Sequence, residues 1–157
     1  MSHHIATVAW TRDDAVFTDN QYSRGHVWRF DGGTEVAASS SPANVRLPFS
    51  IEANVDPEEA YVAALSSCHM LWFLNLAALK GFCVDSYTDA AEGTAAKLPD
   101  GRDWVPVVVL RPQVVFSGKP ITAAEVDDLH HRAHHACHLA NSVKTEIRTE
   151  GTWRHAG

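Results

Sequence analysis

Residues 56–73 of the 157-residue chain read DPEEAYVAALSSCHMLWF and decide how the middle of the sequence folds. Asp56 is a good N-cap, the proline after it suits the first helical position, and Glu59 completes a capping box. No glycine or further proline follows until Gly81, so the pattern predicts a helix that ends near residue 79. Its second half is apolar on nearly every side, which is typical of a helix buried within a domain or under a partner subunit.

Strand-like segments lie on both sides of this helix. Asp31 and Gly32 predict a hairpin turn, and a second capping box at Thr122 and Glu125 predicts another helix that runs to about Leu139. The resulting order is β-β-β-α-β-β-α-β. It predicts one α+β domain, residues 1–157, with two main helices on an antiparallel sheet. The predicted strands are residues 5–12, 21–30, 34–38, 82–95, 104–117 and 145–153.

Composition excludes some classes of partner. The formal charge is −6, with 19 acidic against 13 basic side chains, and this argues against nucleic acid. The most apolar run, residues 70–79, is broken by Asn75 and is shorter than a membrane span requires, so no membrane partner is expected. The first residues lack a signal-peptide pattern, and three cysteines are too few for a secreted disulfide scaffold. We therefore expect a cytoplasmic protein with free thiols.

Two of the three cysteines fall on the predicted helices. Cys68 lies in the first helix, and Cys137 shares a helical stripe with Val126 and Leu129, so both thiols are predicted to face one small core. A buried free cysteine is often an inert small hydrophobe, while two such thiols can also form a redox pair. The residue pattern alone leaves both interpretations open. Cys83, at the start of a strand with no partner group in view, is expected to be inert.

The second helix is rich in histidine. His130, His134 and His138 repeat at i, i+4 and i+8, a spacing at which two imidazoles can share a metal ion. No Glu follows the first of them as in a zinc hydrolase, so we expect a polar face without a bound metal. The rival hypothesis is a metal- or ligand-binding module that combines this ladder with Cys137 or His69.

The residues quoted above also carry a family resemblance. The Asp-Pro-Glu-Glu-Ala start, the Ser-Ser-Cys at Cys68, and Cys137 in Cys-x₃-Asn-Ser together resemble the OsmC/Ohr family of thiol-dependent peroxidases over residues 5–152. The resemblance implies an OsmC-like fold, an intertwined homodimer and reduction of organic hydroperoxides by Cys68 and Cys137 as a redox pair. It further implies no bound cofactor and an external dithiol, such as one of the lipoyl type, as reductant. His138 stands where many members have proline, which indicates a divergent subgroup.

Two further catalytic residues follow from the resemblance. The family's acid lies ten residues before the reactive cysteine, which is Glu58 here, and its arginine matches Arg24 best and Arg29 less well. Because a thiol in an apolar core resists ionisation, we hypothesise that Arg24 stabilises the Cys68 thiolate and that Glu58 orients Arg24. Ten helical residues rise about 15 Å. Glu58 is therefore expected to act through Arg24 or from a second chain.

Overall fold

The computed structural model describes residues 1–156. The chain divides into two compact units, residues 1–60 and the remainder, and the boundary falls inside the first long helix. The organisation as a single domain therefore stays a prediction. The two helices are α1, Pro57–Leu79, and α2, Ala123–Ala136, and a 3-10 turn follows at Ala140–Ser142. The strands are β1 Ala6–Ala9, β2 His26–Phe30, β3 Glu35–Ala38, β4 Cys83–Asp89, β5 Glu92–Lys97, β6 Asp103–Leu110, β7 Pro112–Ser117, β8 Glu146–Thr149 and β9 Thr152–His155.

The first unit contains an antiparallel meander in the order β1-β2-β3. The predicted hairpin turn is confirmed, and Gly33 takes a φ of +88°, which glycine adopts without strain. β2 begins at His26, later than the expected residue 21, so residues 21–25 form a loop that carries Arg24. The long segment after β3 is fixed by backbone hydrogen bonds, including one from Arg24 N–H to the Phe49 carbonyl at 2.8 Å.

Helix α1 begins and ends as the sequence predicts. The Glu59 amide donates to Asp56 Oδ1 at 2.7 Å, and the Asp56 amide donates to Glu59 Oε2 at 3.1 Å, which completes the capping box. The helix ends at Leu79, and Gly81 follows with a φ of +76°. Its start and stop signals are local, so the sequence alone contains them.

Within the single chain α1 is buried along one face, so of the two expected settings burial within its own domain accounts for that face alone, and burial under a partner subunit stays a prediction. The buried residues of α1 form one stripe, while Leu71 and Leu79 on other faces are 61% and 76% exposed. By length and composition α1 could also cross a membrane, but the central helix of a soluble protein passes the same test. The buried stripe of α1 packs on core side chains of the second unit. The residues of this stripe are Leu65, His69, Phe73 and Ala77.

The second unit contains two three-stranded sheets, β4-β7-β9 and β5-β6-β8. Each of the three long predicted strands is divided in two, and its halves belong to different sheets. Arg111 marks one such break, where its amide donates to Asp89 Oδ1 at 2.6 Å instead of joining a ladder. The α+β class with two main helices is confirmed. The purely antiparallel pairing is corrected, because β6–β8 and β7–β9 are parallel.

Helix α2 starts at the predicted capping box and ends earlier than predicted. The Thr122 side chain accepts from the Glu125 amide, and the Glu125 side chain accepts from the Thr122 amide. The last helical residue is Ala136 rather than Leu139, because Cys137 takes an extended conformation with a ψ of 114°. Cys137 is therefore the C-cap of α2, and its amide donates to the carbonyls of Ala133 and His134.

The capping box of α2 supplies a stability prediction. Thr122→Ala removes the side-chain acceptor and is expected to lower the free energy of unfolding by about 1 kcal/mol. Thr122→Asp keeps an acceptor at the cap and is expected to stay close to the wild type. Urea unfolding followed by circular dichroism measures both. Equal stability of the alanine and aspartate variants would show that the cap contributes nothing.

Candidate thiol site

The structure brings Cys68 and Cys137 together. Their sulfur atoms lie 2.6 Å apart, with Cys68 on α1 and Cys137 at the C-cap of α2. All three cysteines of the chain are free thiols. Cys137 is only 1% exposed, whereas Cys68 is half-buried. A disulfide bond is about 2.05 Å long. A small local movement is therefore sufficient to join the pair.

The surroundings of the two thiols differ. Burial, followed by the hydrogen bond to Cys68, raises the pKa of the Cys137 thiol. Its position at the helix C-terminus, where carbonyl oxygens concentrate negative charge, also disfavours a thiolate. Both effects keep the proton on the Cys137 thiol. Cys68 is the less buried residue of the pair, so it is the one that an external molecule can reach.

The segment after α2 holds Cys137 in place, which the sequence analysis missed. Asn141 Nδ2 donates to the His135 carbonyl at 2.9 Å, and Ser142 Oγ donates to the His138 carbonyl at 2.7 Å. The Ala140 amide donates to Cys137 Sγ at 3.4 Å. The sequence motif Cys-x₃-Asn-Ser shows that Asn and Ser follow the helix closely. The sequence did not show that the helix ends before Cys137 rather than after it.

Cys83 lies on β4 and is exposed. Its sulfur is 3.8 Å from Asp85 Oδ1, and its strand partner is Ser117. Cys83 takes no part in the contact between the other two thiols.

Arg24 is held by oxygen atoms of its own loop. Its guanidinium donates to the Tyr22 carbonyl at 2.5 Å, to the Asn20 carbonyl at 3.1 Å and to Asn20 Oδ1 at 2.6 Å. It also stacks on the Tyr22 ring at 3.7 Å. Within residues 1–156 Arg24 forms no ion pair, so its positive charge is left without a carboxylate. Arg29, the weaker match, pairs with Glu35.

Glu58 lies in the first turn of α1 and is exposed. Its Oε1 accepts from Asn44 Nδ2 at 3.1 Å. The described chain contains no ion pair between Glu58 and Arg24, so the expected orientation of the arginine by this carboxylate is not formed within one copy. The role of Glu58 stays a prediction.

Arg24 also lines an apolar cavity of about 460 Å³ in the first unit. Trp10, Phe17 and Tyr22 form a cluster of rings at its wall, with centroid distances of 4.6–5.7 Å. His26, Ser39 and Ser40 add polar groups. An apolar wall with few polar groups is typical of a site for a small organic molecule.

The histidines do not form the predicted ladder. α2 ends before His138, whose ring lies 6.0 Å from Trp72, and His134 is exposed. His130 instead stacks on His69, with Nδ1 3.0 Å from His69 Nε2. Nowhere in residues 1–156 do three His, Cys, Asp or Glu side chains converge as a metal site.

The chain thus combines an α+β fold of two helices and small sheets with two thiols in contact, one on α1 and one at the end of α2. The family model described as OsmC-like protein matches residues 52–151. A solved structure of an OsmC-like protein of unknown function from Vibrio cholerae is 56% identical, with a TM-score of 0.93 over 97% of this chain and 100% of that chain. The chain belongs to the OsmC family, as the sequence resemblance predicted.

More distant structures share the fold. An organic hydroperoxide resistance protein from Elizabethkingia anophelis is 16% identical, with a TM-score of 0.69 over 99% of this chain and 97% of that chain. The organic hydroperoxide resistance protein OhrB of Bacillus subtilis is 13% identical, with a TM-score of 0.61 over 98% of each chain. At these identities the likeness concerns the fold alone. No functionally curated protein matches the sequence significantly.

Proposed function

We propose that the protein is a thiol-dependent peroxidase that reduces organic hydroperoxides with Cys68 as nucleophile and Cys137 as resolving thiol. The single observation that carries the proposal is the contact of the two sulfurs at 2.6 Å, with one thiol accessible and the other buried. The names of two structurally similar proteins, both organic hydroperoxide resistance proteins, support the substrate class. We further propose a cytoplasmic setting, because three cysteines are too few for a secreted disulfide scaffold.

The proposed chemistry has three steps. The Cys68 thiolate attacks a peroxide oxygen, so that an S–O bond forms, the O–O bond breaks, and the alkoxide leaves and takes a proton to become an alcohol. The resulting sulfenic acid condenses with the Cys137 thiol, which forms the disulfide and releases water. An external dithiol then reduces the disulfide by exchange and is itself oxidised. No bound cofactor is required.

Arg24 and Glu58 complete the proposed site. The unpaired charge of Arg24, held above the Tyr22 ring, suits a thiolate or a peroxide oxygen. Because Glu58 and Arg24 do not pair within one copy, we propose that they act together in an intertwined homodimer. The exposed apolar side chains of α1, Leu71 and Leu79, support burial against a second subunit.

The test of this function is peroxide consumption by the purified protein with a dithiol reductant. We expect tert-butyl hydroperoxide to be consumed faster than hydrogen peroxide, because the proposed substrate class is the organic hydroperoxides. We also expect dihydrolipoamide to support turnover better than a monothiol, because a dithiol closes into a ring and leaves. Slow, equal consumption of both peroxides with either reductant would contradict the proposal.

Arg24 offers a sharper prediction. Arg24→Met removes the cation and is expected to lower kcat/KM for the hydroperoxide by about 10- to 100-fold, as loss of a charge-assisted hydrogen bond does. Arg24→Lys keeps the charge and is expected to recover part of the loss. Arg29→Met is the matched control and is expected to retain wild-type kinetics, because Arg29 already pairs with Glu35.

A second candidate is an OsmC-like ligand-binding module without peroxidase activity. The cavity lined by Trp10, Phe17 and Tyr22 favours it, since the lining suits any small apolar ligand. The two functions differ in their dependence on sulfur. Equal, slow peroxide consumption by the wild type and Cys68→Ser would favour the binding module.

A further inference from the structure

The segment from Cys137 to Ser142 is bonded more densely than a connection between a helix and a strand requires. The last carbonyls of any α-helix lack helical partners. At the end of α2, the Cys137 amide takes two of them, and Asn141 Nδ2 takes the His135 carbonyl. The Asn141 amide also donates to the Cys137 carbonyl at 3.1 Å. Asn141 thus contacts both the backbone two residues before Cys137 and the backbone of Cys137 itself.

This bonding fixes the position of one backbone donor. Ser142 closes the segment, with its amide on the Leu139 carbonyl and its hydroxyl on the His138 carbonyl. Within the closed segment the Ala140 amide points at Cys137 Sγ at 3.4 Å. A neutral thiol gains little from such a donor, but a thiolate accepts a stronger, charge-assisted hydrogen bond.

Cys137 has little other support for a negative charge. Burial and the nearby Cys68 raise its pKa, and the backbone amides of Ala140 and Leu139 act in the opposite direction. Cys68 is the titratable group that faces it from α1, and no charged side chain contributes from its own segment. The cost of ionising Cys137 thus depends on where these amides lie.

We propose that Asn141 is a positioning residue for the resolution step, which holds the Ala140 amide on Cys137 Sγ so that the sulfur can lose its proton. The inference rests on the proposed function, in which the Cys137 thiolate attacks the sulfur of the Cys68 sulfenic acid. In that step the S–S bond forms, the S–O bond breaks, and hydroxide leaves and takes the proton as water. The Ala140 amide stabilises the thiolate that forms on the way.

Single-turnover kinetics separate the two oxidation steps. With one equivalent of tert-butyl hydroperoxide, Asn141→Leu is expected to form the Cys68 sulfenic acid at the wild-type rate and the disulfide about tenfold more slowly. The pH of half-maximal disulfide formation is expected to rise. Asn141→Gln keeps a side-chain donor and is expected to recover part of the rate. His135→Ala is the matched control, because it keeps the carbonyl that Asn141 contacts. Equal resolution rates in Asn141→Leu and the control would overturn the proposal.

A second measurement does not depend on peroxide chemistry. In a chain with Cys68→Ser and Cys83→Ser, Cys137 is the remaining thiol, and its labelled ¹³Cβ shift reports ionisation directly. We expect Asn141→Leu to move this titration to higher pH, and His135→Ala to leave it in place. An unchanged titration in Asn141→Leu would refute the inference even if peroxidase activity is found. A shifted titration in a protein without peroxidase activity would refute the proposed function and leave the role of Asn141 at Cys137 standing.

Discussion

Replacing Cys68 by serine is expected to lower hydroperoxide turnover by at least about a thousandfold, the scale of losing a catalytic nucleophile. Serine keeps the size of the side chain but not its ability to attack the O–O bond. Cys137 is buried and cannot take over, because it is 1% exposed and its pKa is raised by burial. Coupled consumption of tert-butyl hydroperoxide and dithiol measures the effect.

Two control variants make this result specific. Cys137→Ser is expected to keep the first oxidation of Cys68 and to slow turnover with the dithiol, because the disulfide with Cys137 cannot form and the sulfenic acid must react with the dithiol directly. Cys83→Ser is expected to behave as the wild type, since Cys83 is exposed on β4 beside a carboxylate. Comparable activity of Cys68→Ser and the wild type would remove Cys68 from the mechanism.

Acid is expected to destabilise the protein through the contact of His69 and His130. Burial, followed by the charges of His130 and His134, lowers the pKa of His69 from 6.5 to about 4. Burial likewise lowers the pKa of His130 to about 4, against the opposing effect of Asp127 and Asp89. Between pH 6.5 and 4 the unfolded chain thus binds more protons than the folded chain. The two neutral imidazoles therefore contribute their full stabilisation above pH 6.5. This contribution to the free energy of unfolding is lost as the pH falls toward 4.

The expected loss of stability at acid pH is large for only two imidazoles. A shift of this size corresponds to about 3 kcal/mol per imidazole once the pH reaches the folded value. Urea unfolding at pH 7 and pH 4.5 measures it, and the variant His69→Leu with His130→Phe is expected to lose less stability between the two values. His131→Gln on the exposed face of α2 is the control. An identical pH dependence in the double variant and the wild type would contradict the assignment.

The features that the sequence predicted are those with local causes. The N-caps Asp56 and Thr122 lie within three residues of their partners, so both helix starts were readable. The residue pattern predicted two core-facing thiols, and the family resemblance implied that Cys68 and Cys137 form a redox pair. Their sulfurs lie 2.6 Å apart, and the redox role stays a prediction.

The features that it did not predict depend on tertiary context. The sequence predicted three long continuous strands, because residues that favour β-strands continue through each point where a strand divides. The hydrogen bond from the Arg111 amide to Asp89, at one of these points, forms only in the folded chain. The stacking of His69 on His130 joins residues 61 positions apart, and helical spacing on α2 pointed to a different set. The contacts of Asn141 depend on the end of α2 at Ala136, three residues before the predicted end.

The central claim is that a hydroperoxide transfers one oxygen atom to Cys68. Its most direct test is the mass spectrum of Cys137→Ser after reaction with one equivalent of tert-butyl hydroperoxide, with the sulfenic acid trapped by dimedone and the adduct located by peptide mapping. We expect one adduct per chain on the peptide that contains Cys68. An adduct on Cys83 alone, or no adduct while the hydroperoxide persists, would contradict it.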